Sequence, residues 1–237
     1  MAPTPRQRAR AALVADIKDS ALRQIASSGA QRLSLRAITR ELGMVSSSLY
    51  RYFASRDELL TALLVDAYTD LAGALESAAA RPGTPREQWR ATCAALRSFA
   101  RSEPHRFSLV YGTPIAGYQA PPDTIEPAAR VVRALAAPVA AAHATGAQGA
   151  DSPAGATTPG SDAAPPAEPL RSQLAVLNAV IEADLPARRA AHLAGAIAQL
   201  LGLLTLELGG HFVGTFEPAD ALYEDAVTQL AELLELG

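Results

Sequence analysis

The sequence predicts an all-α fold, and three observations carry that prediction. Hydrophobic residues make up 49% of the 237 positions but aromatics only 5%, and Ala and Leu dominate while β-branched residues are sparse. Ala and Leu favour helix, whereas β-branched and aromatic residues favour strand. Apolar residues recur at three- and four-residue spacing along nearly every segment, the period of a helix with one buried face. Helix start and stop signals punctuate those segments, and no stretch alternates apolar and polar residues as a half-buried strand does.

In chain order, the first helix is expected from about Thr4 to Ser28, with Leu13, Ile17, Ala21 and Ile25 inward and Gly29 as the stop. Ser34 can cap a short second helix over residues 35–42, with Leu35, Ile38 and Leu42 on one face. Gly43 closes it, since glycine tolerates the left-handed backbone of a tight corner. A third helix, "SSSLYRYF" (residues 46–53), follows two residues later. Ser55 with Glu58 three positions on is a capping box, opening a long helix to about Ala80.

Residues 81–87 read as a loop and residues 85–101 as a helix carrying Trp89, Cys93, Leu96 and Phe99. A short helix "PHRFSLVYG" runs into the irregular "GTPIAGYQAPPDT", and another helix covers roughly 126–144. Residues 145–169 contain no large apolar side chain and are expected to be a flexible insertion, because nothing there offsets the entropy of ordering. Helices are expected over 170–183, 187–209 and 220–236. The stretch 193–210 is the most apolar, but Gln199, Glu207 and its Ala/Gly content make it a buried helix rather than a membrane span.

Composition narrows the function. The single cysteine, Cys93, excludes an intrachain disulfide framework and suits a reducing cytoplasm. "MAPTPRQRAR" has no apolar run behind its basic residues, so it does not read as a secretory signal. His105, His143, His192 and His211 have no metal-like spacing, and there is neither a Gly-x-Ser-x-Gly elbow nor a Gly-rich phosphate loop. No enzyme activity, metal or cofactor is expected. The net charge is −3, yet residues 1–60 hold ten Lys and Arg against five Asp and Glu, a balance of +5 that leaves −8 for the rest. A basic head on an acidic body suits a protein that offers one end to a polyanion; a solvated basic face has the same signature.

Two short helices joined by a Gly-containing corner form a helix-turn-helix pattern. Leu42, Leu49 and Phe53 would pack the pair on the first helix, turning Ser46, Ser47, Tyr50 and part of Ser48 outward. Small hydroxyl side chains let a helix approach base edges closely. Tyr50 and Tyr52 can place hydroxyls on phosphates, Arg56 lies in the first turn of the following helix, and Arg36 can reach phosphate or a guanine edge.

The segment "LSLRAITRELGMVSSSLYRYFASRDELL" resembles the DNA-binding domain of the TetR (tetracycline-repressor-like) family of bacterial transcription regulators, on its Gly43 corner, Leu49-Tyr50-x-Tyr52-Phe53 run and Arg56-Asp57-x-Leu59-Leu60 helix start. Val45 stands where that family has a capping Ser or Thr, so Ser46 is a substitute cap; Ser47 replaces a Gly or Pro, and Arg56 a Lys. Residues 104–135 and 196–212 resemble the C-terminal domain of a TetR subgroup named for a Trp-His-Gly signature, of which Gly202 remains while Ala198 and Leu201 take the other places.

The resemblance implies a ligand-responsive, homodimeric repressor on a pseudo-palindromic operator, with the helix-turn-helix domain in residues 1–54 and a ligand-binding and dimerisation domain in 55–237. Trp89, Phe99, Tyr111 and Tyr118, with Phe107 nearby and His105 as a polar anchor, are either core or the wall of an effector cavity. The small residues of the last two helices allow close approach, either internally or, as the resemblance implies, in a dimer through residues 187–236. The alternatives are a constitutive architectural DNA-binding protein without ligand and a small-molecule-binding helical protein.

Overall fold

The computed structural model describes residues 4–148 and 167–237, with the side chains of Ser46, Ala147 and Gln148 outside that description. Most of the expected insertion, residues 149–166, therefore lies outside the described residues. Among these residues the chain forms ten α-helices and no strand. They are α1 (Pro5–Ser28), α2 (Leu35–Glu41), α3 (Ser46–Leu49), α4 (Arg56–Ala79) and α5 (Pro85–Ser102), followed by α6 (Pro104–Tyr111), α7 (Ile125–Gln148), α8 (Glu168–Ile181), α9 (Ala187–Leu208) and α10 (Asp220–Leu233).

Packing divides the chain into two compact units: residues up to Tyr68 together with Glu103–Ile125, and Thr69–Ser102 together with Glu126–Gly237. The helix α4 contributes its first half to one and its second half to the other.

The first unit is built on local signals. Thr4 accepts from the Gln7 N–H and Gln7 caps Thr4 in return, a capping box at the start of α1. Ser34 caps α2 by accepting from the Ala37 N–H. The corner after α2 turns at Gly43, whose φ of 63° is left-handed. At α4 the Glu58 N–H donates to the Ser55 hydroxyl, but the Glu58 carboxylate accepts from the Ala54 N–H rather than from Ser55. The core gathers Ile17, Ala21, Ile25, Ile38, Leu49, Phe53, Leu59, Leu60 and Leu63, with Leu42 half-buried against it.

Two features differ from expectation. The third helix ends at Leu49 instead of Phe53. The Leu49 carbonyl accepts from both the Tyr52 and Phe53 N–H groups, so the chain tightens as it delivers Phe53 into the core. The segment 103–125 also packs with the head: Leu109, Ile115 and Tyr118 join its apolar cluster. Gln31, in the turn after α1, donates to the Pro114 carbonyl at 3.2 Å and accepts from the Ala116 N–H at 3.2 Å. Tyr118 and Thr61 hydroxyls lie 2.9 Å apart.

In the second unit α5 presents Trp89, Cys93, Leu96 and Ala100 inward, all sealed from solvent. It runs opposite to α10, joined by the Trp89 indole N–H donating to the Val227 carbonyl at 3.1 Å and the Tyr223 hydroxyl donating to the Cys93 carbonyl at 2.9 Å. Arg97 makes a bidentate pair with Glu207 and a further bond to Asp220. Arg189 holds the carbonyls of Leu234 and Glu235, fixing the end of the chain.

The helix α9 departs from its reading as a buried helix. By length and composition it is apolar enough to cross a membrane, yet only 22% of its most apolar window is buried. Ala190, Leu193, Ala196, Leu200 and Leu204 face the core, while Ala194, Gly195, Ala198, Gly202 and Leu206 are exposed. A methyl group added at Gly195 or Gly202 would meet nothing within the chain.

Candidate nucleic-acid interface

The helix-turn-helix corner separates neighbouring residues by role. Leu49 is 0% exposed and anchors α3, whereas Tyr50 is 52% exposed beside it. Ser47 is exposed and Ser48 half-buried. The Ser46 side chain, expected as a substitute cap, lies outside the described groups. Val45 occupies the N-cap position, 72% exposed, and its side chain makes no capping hydrogen bond. Arg36 is exposed on α2, and with Leu35, Thr39, Leu49 and Tyr50 it lines a crevice of about 10 Å³ between α2 and α3. Arg36, Ser47 and Tyr50 thus lie on the outer side of one corner.

Tyr52 and Arg56 are placed differently. Tyr52 is half-buried, with the Arg10 guanidinium 5.6 Å from its ring centroid. Arg56 is also half-buried; its Nη2 donates to the carbonyls of Ala30 at 2.8 Å and Gln31 at 3.3 Å, and its Nη1 to Asp57 at 3.3 Å. The sequence reading put Arg56 at a phosphate. In the structure its guanidinium already has protein acceptors, because the turn between α1 and α2 brings two carbonyls to the start of α4.

Behind this face, one carboxylate braces the motif. Glu41 accepts from the buried Ser20 hydroxyl at 2.6 Å and from Arg23 at 2.6 Å and 3.1 Å. The Ser20 hydrogen bond first, then Arg23, holds its carboxyl below the ordinary range. Lys18 pairs with Asp66 at 2.6 Å, joining α1 to α4.

The five residues expected around an effector are divided between the two units. Trp89 and Phe99 are buried in the second unit, and the Trp89 N–H is already bonded. His105 is exposed on α6. Tyr111 and Tyr118 belong to the first unit with Tyr68: the Tyr111 ring meets Tyr68 edge-on at 6.3 Å and Phe107 at 5.2 Å. Burial pushes the Tyr111 and Tyr68 phenols up from their usual range. Burial likewise lifts the Cys93 thiol.

A cavity that the sequence reading missed lies in the second unit between α5 and α10. It has a volume of about 710 Å³ and is lined by Arg90, Ala94, Ser98, Arg101, Tyr223 and Val227 among others. Its volume falls in the usual range for small-molecule sites. The spacing of 90, 94, 98 and 101 on α5 marks a helix face distinct from that of Trp89, and was the available sequence signal.

Comparison with known proteins matches two family models, one at each end of the chain. A family model described as bacterial regulatory proteins, tetR family, matches residues 17–63. A second, described as tetracyclin repressor-like, C-terminal domain, matches residues 89–230. Neither description extends to the Trp-His-Gly subgroup. The HTH-type transcriptional regulator Rv1816 of Mycobacterium tuberculosis (strain ATCC 25618 / H37Rv) is 49% identical over 146 residues, 60% of this chain and 62% of that protein. The HTH-type transcriptional regulator Mb1846 of Mycobacterium bovis (strain ATCC BAA-935 / AF2122/97) matches to the same extent, so the match spans just under two thirds of these relatives' length. The solved structure of the regulatory protein SCO4313 superposes with a TM-score of 0.74 at 34% identity, covering 96% of this chain and 98% of the other. A TetR family transcription regulator from Marinobacter aquaeolei VT8 shares the fold, with a TM-score of 0.60 at 18% identity over 96% of this chain and 97% of that one.

Proposed function

The chain belongs to the TetR family of bacterial transcriptional regulators, which are DNA-binding proteins and not enzymes, and from that premise we propose that it is a homodimeric repressor released from a pseudo-palindromic operator by a small molecule. The observation that carries the DNA-reading half is the split between the sealed Leu49 and the half-exposed Tyr50, which turns one polar side of α3 toward the groove. In this reading residues 1–54 read DNA and residues 55–237 dimerise and bind the effector. Arg36, Ser46, Ser47, Ser48 and Tyr50 meet the duplex, with Tyr52 beside them. Arg56 supports the corner through its bonds to Ala30 and Gln31 and has further guanidinium N–H groups with which to meet a phosphate. As a reader of chromosomal DNA the protein works in the cytoplasm.

A second copy is needed because one short recognition helix contacts too few bases, and two-fold symmetry matches a pseudo-palindrome. The exposed small-residue side of α9 supports a dimer through residues 187–236. The effector shifts the population toward a recognition-helix separation that fits the grooves poorly. A hundredfold loss of occupancy takes roughly 2.7 kcal/mol of differential affinity. The α5–α10 cavity favours an effector-responsive protein over a constitutive architectural one. The aromatic residues Trp89, Phe99, Tyr111 and Tyr118, with His105, remain the second proposed contact set.

The test is fluorescence anisotropy of the purified chain on the DNA flanking its own gene and on random duplex at two salt concentrations. Tight, salt-sensitive preference for the flanking DNA is expected, followed by its loss with an effector from a small-molecule screen. Equal weak binding to both duplexes would overturn the specific-repressor reading.

A further inference from the structure

We propose that Arg6 and Arg10, on the first turns of α1, form a second DNA-backbone contact beside the recognition corner. The proposal rests on the reading of α2 and α3 as the DNA face. Its starting point is a local conflict. Pro5 is the first residue of α1, and the first turn holds no acidic residue. The N-terminus of a helix carries partial positive charge, so cations there are unfavourable, and like charges four apart on one face repel. Arg6 breaks both rules and Arg10 the second, and both are exposed. Among the described residues neither makes an ion pair. No acidic partner offsets their mutual repulsion, and features that contradict local stability concentrate where a partner is met.

The second observation gives the row an address. The Arg10 guanidinium stacks over Tyr52, 5.6 Å from the ring centroid, within the range of a cation–π contact. Tyr52 is two residues beyond Tyr50, so the stack holds Arg10 beside the corner that presents Tyr50 outward. Arg6 lies one turn back on the same side of α1, since four residues nearly complete a helical turn. Arg8, two residues from each, points to the opposite side. A duplex seated on α3 would extend its phosphates past this edge, and two guanidiniums suit them through paired hydrogen bonds. Both arginines precede residue 17, where the match to the family model begins.

Three variants with equal charge change separate a contact from a general field: Arg6→Gln, Arg10→Gln and Arg8→Gln, each titrated with salt on a random-sequence duplex and on the DNA flanking the gene. A lost phosphate contact lowers the slope of log affinity against log salt by about 0.9, and a variant dimer, which loses one in each subunit, by about 1.8. The expected result is that change for Arg6→Gln and for Arg10→Gln on both duplexes, with Arg8→Gln close to wild type. Tyr52→Leu should reproduce the Arg10→Gln change, because the ring is needed to seat the guanidinium. Melting temperatures should not fall for Arg6→Gln and Arg8→Gln, and should fall only slightly for Arg10→Gln, which loses its ring contact; unchanged helix content in all three removes misfolding as a cause.

Equal slopes in all three arginine variants, changed or unchanged, would overturn the contact. Tyr50→Ala run in parallel keeps the two failures apart: if it weakens binding while the arginine variants do nothing, only the arginine row fails. If Tyr50→Ala is inert, the DNA face itself is misassigned. A wild-type chain that binds neither duplex overturns both.

Discussion

Arg56 donates to the carbonyl oxygen of Ala30 at 2.8 Å, tying the first turn of α4 to the turn between α1 and α2. That bond, with its longer companion to Gln31, gives Arg56 a structural task in addition to any contact with DNA. Arg56→Lys keeps the charge but loses the planar fork that reaches both carbonyls. It should cost about 1–2 kcal/mol, seen as a lower midpoint in urea. A phosphate contact alone would weaken DNA binding and leave that midpoint where it was.

Around the same corner, backbone and base contacts should separate by variant. Tyr50→Phe and Arg36→Ala should weaken binding on every sequence. Ser47→Ala should shift base preference at one position of each half-site, by about 1–3 kcal/mol. Competition binding against an operator with single-base changes measures this. Uniform loss from Ser47→Ala would move it to the backbone class.

Acid should unfold the protein through three carboxylates. Glu41, Glu76 and Asp220 are held below the ordinary range, chiefly by hydrogen bonds from Ser20, Arg130 and Arg97 respectively. A carboxyl whose folded value is depressed stabilises the fold fully above its unfolded value near pH ~4, and the contribution is lost as pH falls through the folded one. The melting temperature should therefore hold from pH ~7 to ~5 and decline below that. Glu41→Gln should lower the plateau and flatten part of the decline; a melting temperature that rises on acidification would contradict the assignment.

The exposed side of α9 predicts a surface-neutral but assembly-breaking change. Ala198 is exposed, so Ala198→Arg should leave helix content unchanged. Sedimentation should report the mass halved, from dimer to single chain. A mass unchanged from a wild-type dimer would place the interface elsewhere.

Much of the fold was legible because its signals are local. Thr4, Ser34 and Ser55 cap helices where short-range rules place them, and Gly43 turns the corner as its backbone freedom suggests. What escaped depends on partners distant in sequence. The early end of α3 follows from where Phe53 is seated, the acceptors of Arg56 come from a turn 25 residues away, and the half-exposure of α9 follows from which of its sides α5, α8 and α10 cover. At the site, the outward Ser47 and Tyr50 were readable from helical spacing against the inward Leu49. The role of Arg10 was not, because nothing in the sequence pairs position 10 with position 52.

The clamp that Gln31 makes on Pro114 and Ala116 also sets an order of events during synthesis. The DNA-reading end is spelled first but is covered late: most of its core lies within residues 17–64, while Leu109, Ile115 and Tyr118, which pack on that core, follow. At roughly 5–20 residues per second, the wait between residue 68 and residue 125 is about 3–11 seconds. During that interval the nascent head exposes apolar surface that the finished protein covers, and a chain truncated at residue 68 would keep that surface exposed.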